Sequence, residues 1–176
     1  RPNSGNNTYF YQEIPFISDT NEISNTLIFT QYKKLSRTSD MVGKASVYIK
    51  AINSIDNSDV RISKRAFVPY NRLRGFEKGK VGPVDNNDDY VGGNYVSTVN
   101  LSTNLPNIFS TVENVDFSLF VDLANVWGVD YDSSIDDSNE IRSSTGVGMN
   151  VLTPVGPLSF SLTQPITKKS TDKTET

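Results

Sequence analysis

Neither cysteine nor histidine occurs anywhere in the 176 residues. Disulfide stapling, Cys/His zinc sites and thiol nucleophiles are thereby excluded, and so is the usual Ser–His–acid triad. Long apolar runs are missing too. No stretch approaches the ~18–20 consecutive apolar residues of a membrane helix, and mean hydropathy is −0.40. A helical membrane protein is therefore excluded. A membrane β-barrel is not, because its strands alternate apolar and polar residues and average to ordinary hydropathy. Positive charge is also scarce: 17 Lys+Arg against 20 Asp+Glu give a formal net charge of −3 and a pI near 5.0. That balance does not suit a protein that grips nucleic acid phosphates, and no nucleic acid partner is expected.

What the chain does have is polar and strand-forming. Asn, Ser and Thr together make up 54 of the 176 residues, a composition that resists helix and favours turns and strands. An aromatic share of 10% is too high for general disorder. No signal peptide precedes the strands, and the chain opens Arg1-Pro2-Asn3 without Met, so an internal piece of a longer protein is expected.

Alternation with a period of two recurs along the chain. It is clearest at Val115–Trp127, where Val115, Phe117, Leu119, Val121, Leu123, Asn125 and Trp127 share one face, all apolar except Asn125, and Asp116, Ser118 and Asp122 lie on the other. The same pattern sets Val147, Met149 and Val151 against Arg142, Ser144, Gly146, Gly148 and Asn150 within Ile141–Val151. It sets Leu158, Phe160 and Leu162 against Ser159, Ser161 and Thr163. Val47, Ile49 and Ala51 oppose Lys44, Ser46, Tyr48 and Lys50, and Tyr95, Val99 and Leu101 oppose Thr98, Asn100 and Ser102. Thr8–Phe16 and Asn25–Leu35 read as extended with a less clean phase. About seven strands are expected, several near the ~9–11 residues of a tilted membrane strand. Connections alternate in length: Thr153–Pro157 and Leu35–Asp40 are short, whereas Gly128–Glu140 and Arg61–Asn94 are long. Outer-membrane barrels have this asymmetry, and a soluble sandwich accommodates the same strand count, so the pattern alone leaves both open. Lys168–Thr176 reads as a polar tail or loop.

Motifs for chemistry mostly fail. Gly75-Phe76-Glu77-Lys78-Gly79-Lys80-Val81 is one residue short of a phosphate loop, and Val81 stands where Ser or Thr is needed for Mg²⁺. In the acidic stretch from Asp130, Ile135 and Ile141 occupy the Gly and Glu positions of an EF-hand, so a solvated acidic loop is the better reading. Asp85, Asp88 and Asp89 lie in a Gly/Asn-rich stretch suited to turns rather than to acid–base work. No metal, cofactor or enzymatic activity is expected. The basic run Arg61, Lys64, Arg65, Arg72, Arg74, Lys78 and Lys80 fits a solvated loop, a loop held against carboxylates inside a barrel, or one facing anionic lipid headgroups.

Leu73-Arg74-Gly75-Phe76, followed by Val81-Gly82-Pro83 and Gly92-Gly93-Asn94, resembles the RGF-containing sixth extracellular loop of the Omp85 superfamily, in particular of its outer-membrane assembly factors. Phe120–Trp127, Ile141–Gly148 and Thr153–Phe160 resemble the family's following blocks in order. The resemblance is dense from about Leu73 and thin before it. It implies an all-β, antiparallel transmembrane barrel of about sixteen strands, of which residues 1–176 hold roughly the last seven, with the RGF loop at about 61–94. It further implies POTRA modules upstream and a final strand downstream of this piece.

Carried over residue by residue, the resemblance places Arg74 inside the barrel against an acidic wall residue, for which the polar face offers Asp122. Gly75 would let the tip turn, and Phe76 would pack it. Val81, Gly82, Pro83, Gly92 and Gly93 would shape the loop. A second acidic wall position common in the family is Ser102 here. The implied function is insertion and folding of other outer-membrane proteins, with nascent outer-membrane proteins, accessory lipoproteins and outer-membrane lipid as partners. The alternatives are a secretion pore of the same superfamily (two-partner or TamA-like) and, from another class, a soluble β-sandwich binding module.

Overall fold

The computed structural model describes residues 2–16, 21–106 and 114–175. Thr176, the end of the expected polar tail, lies outside the described residues. Seven antiparallel strands form one sheet in sequence order: β1 (Gly5–Glu13), β2 (Glu22–Lys34), β3 (Val42–Ser54), β4 (Tyr95–Asn104), β5 (Val115–Trp127), β6 (Arg142–Thr153) and β7 (Gly156–Thr167). The sheet is not closed; it is an arc of a barrel wall with β1 and β7 at its two edges.

The register explains why the alternation is cleaner in the second half. Thr30 lies opposite Ser46 and hydrogen-bonds to it across 3.1 Å, which turns both toward the lumen. Ile28 and Tyr32 therefore face inward with Thr30, while Asn25, Gln31 and Lys33 face outward with Leu27 and Phe29. Both faces of β2 are mixed, and the period-two signal weakens accordingly. From β3 onward the middle of the outer face is apolar, with Ser97, Thr103 and Thr145 nearer the strand ends. Val47 lies opposite Val99, Val99 opposite Leu123, and Leu101 opposite Val121. Tyr95 and Trp127 pair on the same face at the long-loop end, ring centroids 5.7 Å apart, as interfacial aromatics do.

The start of β7 at Gly156 follows a two-residue connection from Thr153. Pro165, which has no N–H for the ladder, sits where the register with β6 shifts between Ser143 and Ser144. The longest connection, between β3 and β4, carries two short 3₁₀ turns, Ile62–Lys64 and Tyr70–Arg72.

The core lies between that connection and the inner face of the sheet. Val60, Ala66, Val68, Leu73, Phe76 and Val81 of the connection pack with Ile52, Val96, Ala124 and Val126, which stand on the otherwise polar inner face. Removing this much apolar surface from water holds the loop in the lumen, at roughly 25 cal/mol per Å² buried. The Gly128–Glu140 connection is not simply a solvated acidic loop. Asp137 accepts hydrogen bonds from the Gly128 and Val129 amides, Asp132 accepts from Ser134, and Ile135 is buried. Its carboxylates close turns, which is why so many occur in a short stretch.

Candidate lumenal loop site

Tyr70–Arg72 brings the chain over the inner face of β4 and β5, and the RGF tripeptide follows after Leu73. The Arg74 guanidinium donates from Nε to Asp122 Oδ2 at 2.7 Å and from Nη2 to Oδ1 at 2.8 Å, a bidentate pair. Its own backbone N–H donates to Asp122 Oδ2 at 3.3 Å. Asp122 is completely buried, so this charge relies on its partners for the solvation it has lost.

Asn100, opposite Asp122 on β4, completes the seat. Its amide nitrogen donates to Asp122 Oδ1 at 2.8 Å and to the Arg72 carbonyl at 2.7 Å, joining wall carboxylate and loop backbone. Arg72 lies over the Tyr48 ring, 4.9 Å from its centroid, and donates to Ser46 Oγ at 3.2 Å. Ser102 cannot supply a second charge. It lines a lumenal cleft of about 650 Å³ between Arg74 and the short-turn end, together with Lys44 and Asp116. The Arg74 guanidinium instead lies over the Phe120 ring, 3.4 Å from its centroid.

Gly75 has φ +85°, and a Cβ there would stand 2.9 Å from Thr163 Oγ1 of β7, so the tip both needs a left-handed turn and presses on the wall. Phe76 is buried in the core. Val81, Gly82, Pro83, Gly92 and Gly93 are all buried where the loop crosses β5. Gly93 exchanges backbone hydrogen bonds with Ala66, and Asp85 closes a turn by accepting from the Asn87 and Asp89 amides.

Two further ion pairs fix the loop at the long-loop end, and the sequence reading assigned neither. Arg65, with a fully buried side chain, pairs with Asp130 and lies over the Tyr131 ring. Asp130 also accepts from the Val60 amide and the Asn94 side chain. Burial works to raise its pKa, but those three donors outweigh it and hold the carboxyl below its ordinary range. Arg142 of β6 pairs with Asp172 at 2.9 Å, both side chains buried. The expected polar tail or loop from Lys168 is a loop whose residues are mostly exposed, tied down through the buried Asp172. Of the basic run, Arg65 and Arg74 meet carboxylates, Arg72 and Lys80 lie over tyrosines, and Arg61 stands near Glu22.

Among the described residues no group of three or more acidic side chains could hold a metal ion. The loop is re-entrant and fastened to the inner face of the sheet at several points.

A model described as the Omp85 superfamily domain matches residues 1–176. An outer membrane protein assembly factor BamA from Neorickettsia risticii is 27% identical over 141 residues, covering 78% of this chain and 19% of that protein. The BamA of Neisseria meningitidis serogroup B is 30% identical over 128 residues, covering 57% of this chain and 16% of that protein. The crystal structure of BamA from Haemophilus ducreyi lacking POTRA domains 1–3 matches with a TM-score of 0.87 and 26% identity, over 99% of this chain and 37% of that one. The chain thus spans about a fifth or less of the length of these curated relatives.

Proposed function

The chain belongs to the Omp85 superfamily, and from that membership we propose that it forms the later strands of an outer-membrane protein assembly factor's barrel. Its strands lie in the outer membrane of a Gram-negative bacterium, with Val47, Val99, Leu101, Leu119 and Val121 turned to lipid. The proposed activity is insertion and folding of other β-barrel proteins. Nascent outer-membrane chains are its substrates, and accessory lipoproteins are its partners in the complex.

The observation that carries this reading is the RGF loop seated on the lumen wall by Arg74 and Asp122, in a chain whose curated relatives are named assembly factors. The work is physical rather than catalytic. A weakly paired seam in the whole barrel and local thinning of the bilayer present an unpaired strand edge, on which an incoming strand finds its main-chain partners. The residues of this chain give that seam a rigid wall, and the seated loop stiffens the wall from inside.

Conditional depletion of the full-length protein tests the reading, with unrelated porins quantified in the outer membrane. Loss of porins with unfolded forms accumulating in the periplasm is expected. Unchanged porins with the loss of one secreted partner would make the protein a dedicated secretion pore instead.

A further inference from the structure

β7 ends at Thr167, and the chain then turns back across the RGF loop. Phe76 and Thr174 form an antiparallel bridge. The Glu77 N–H donates to the Lys173 carbonyl, the Lys173 N–H to the Lys80 carbonyl and the Glu175 N–H to the Gly75 carbonyl, at 3.0, 3.0 and 3.1 Å. The Tyr90 hydroxyl adds a bond to the Thr171 carbonyl. The segment is thus a short extended stretch laid on the loop tip and joined to it by one β-bridge.

Asp172 fastens this stretch from below. Its Oδ2 accepts from Arg142 Nε at 2.9 Å and from the Lys169 amide at 2.7 Å, and its Oδ1 accepts from the Gly82 amide at 3.2 Å. Arg142 in turn donates to the Glu140 carbonyl at 2.8 Å and to Asn125 Oδ1 at 3.3 Å. Both charges are out of water and hydrogen-bonded, so they stay together or the whole clasp opens.

We infer that the Arg142–Asp172 pair is a second latch on the RGF loop, and that through it the seat of Arg74 on Asp122 is coupled to the chain that follows β7. The physical reason is adjacency. Arg74 is held by the wall and Gly75, the next residue, by Glu175. From Gly75 to Gly82 the tip lies between β5 and β7 on one side and residues 171–175 on the other. Movement of the chain beyond β7 strips the tip of its main-chain partners and exposes the Gly82 amide. Unseating of Arg74 in turn loosens the surface on which residues 173–175 are laid, because such a coupling is reciprocal. This deepens the proposed function: the loop becomes the element that senses whether the chain beyond β7 is in place.

The test uses the full-length protein in native outer membranes, with cysteines at Glu77 and Lys173 bridged by a short reducible bis-thiosulfonate and the yield read by mass spectrometry. Efficient bridging is expected in the otherwise unaltered protein. A several-fold lower yield is expected in Asp172→Asn, in the milder Tyr90→Phe and in Arg74→Lys. Equal yields in all three backgrounds, at equal amounts of folded barrel, would overturn the latch. With the bridge closed, protease cleavage of the loop in Arg74→Lys is expected to fall several-fold and to return on reduction; unchanged cleavage would overturn the coupling. If the yields respond as expected while Arg74→Ala leaves porin levels untouched, the latch stands and the assembly reading fails.

Discussion

Arg74 meets Asp122 through two parallel N–H···O bonds of 2.7 and 2.8 Å while its guanidinium plane covers the Phe120 ring. Only a planar, delocalised cation satisfies both partners at once, and this sets the chemistry of the seat. Asp122 gains a full set of donors in a place where water cannot reach it.

Arg74→Lys therefore behaves more like Arg74→Ala than like the parent. An ammonium makes a point contact, forfeits the second bond and does not stack. Removing Arg74 outright leaves the completely buried Asp122 carboxylate unpaired and costs the seated state about 3 kcal/mol, the low end for a buried pair because Arg74 itself is only partly buried. Limited proteolysis of the loop in outer-membrane preparations checks this, with cleavage in Arg74→Lys expected close to that of Arg74→Ala.

Val126 offers a second test, because it faces the lumen yet is fully buried beneath the loop. Threonine has the same shape and strand preference, and an ordinary lumen-facing position would accept it. Here its hydroxyl is buried in an apolar cluster, and Val126→Thr is expected to weaken the seat by about 1–3 kcal/mol. A thermal unfolding midpoint unchanged from the parent would place the core elsewhere.

Gly82 has φ +120°, and a Cβ would run into the Val126 side chain. Gly79 also has positive φ, +69°, but open space around it. Gly82→Ala combines strain with a clash and should cost more than the ~1–3 kcal/mol of backbone strain alone, whereas Gly79→Ala should cost about 1–2 kcal/mol. The expected order of loop protease sensitivity is Gly82→Ala, then Gly79→Ala, then the parent.

Acid should release the outer fastening. Asp130 has its pKa lowered in the folded state, so its stabilisation is fully present above the ordinary carboxylate pKa of ~4 and is lost as pH falls through the depressed folded value. Asp136, held down to about 2 by the Lys169 ammonium and the Ser138 donors, loses its contribution as pH falls toward that value. Protection of the Val60 amide against hydrogen exchange, corrected for intrinsic rates, is expected to fall over the Asp130 range. In Asp130→Asn that step should be absent.

What the sequence made legible follows from which interactions are local. β5 announced itself because Phe117, Leu119, Val121 and Leu123 all face lipid while Ser118 and Asp122 face in. The seven-strand count followed from the same signal, and β1 and β2 were blurred because their faces are mixed. The proximity of Arg74 to Asp122 came from family resemblance joined to the alternation; spacing alone would not have paired residues 48 positions apart. Of the clasp around Asp172 only the turn bond from the Lys169 amide is local, since Arg142 and Gly82 lie 30 and 90 positions away. One signal was available and went unread: Ile52, Val96, Ala124 and Val126 break the polar face, and they mark where the loop lands.

The order of the sheet has a consequence for how the molecule is made. Every strand pairs with its neighbour in sequence, so hairpins can zip up one after another with little loop-closure entropy to overcome. The RGF loop breaks that rule. It precedes β4 in the chain, and although Ser46, Tyr48 and Ile52 of β3 come before it, its partners Asp122, Thr163 and Asp172 are encoded after it. Its full set of contacts exists only once the later strands have formed and the segment beyond β7 is laid against it. A seated loop is thus a record that this stretch of wall has been finished.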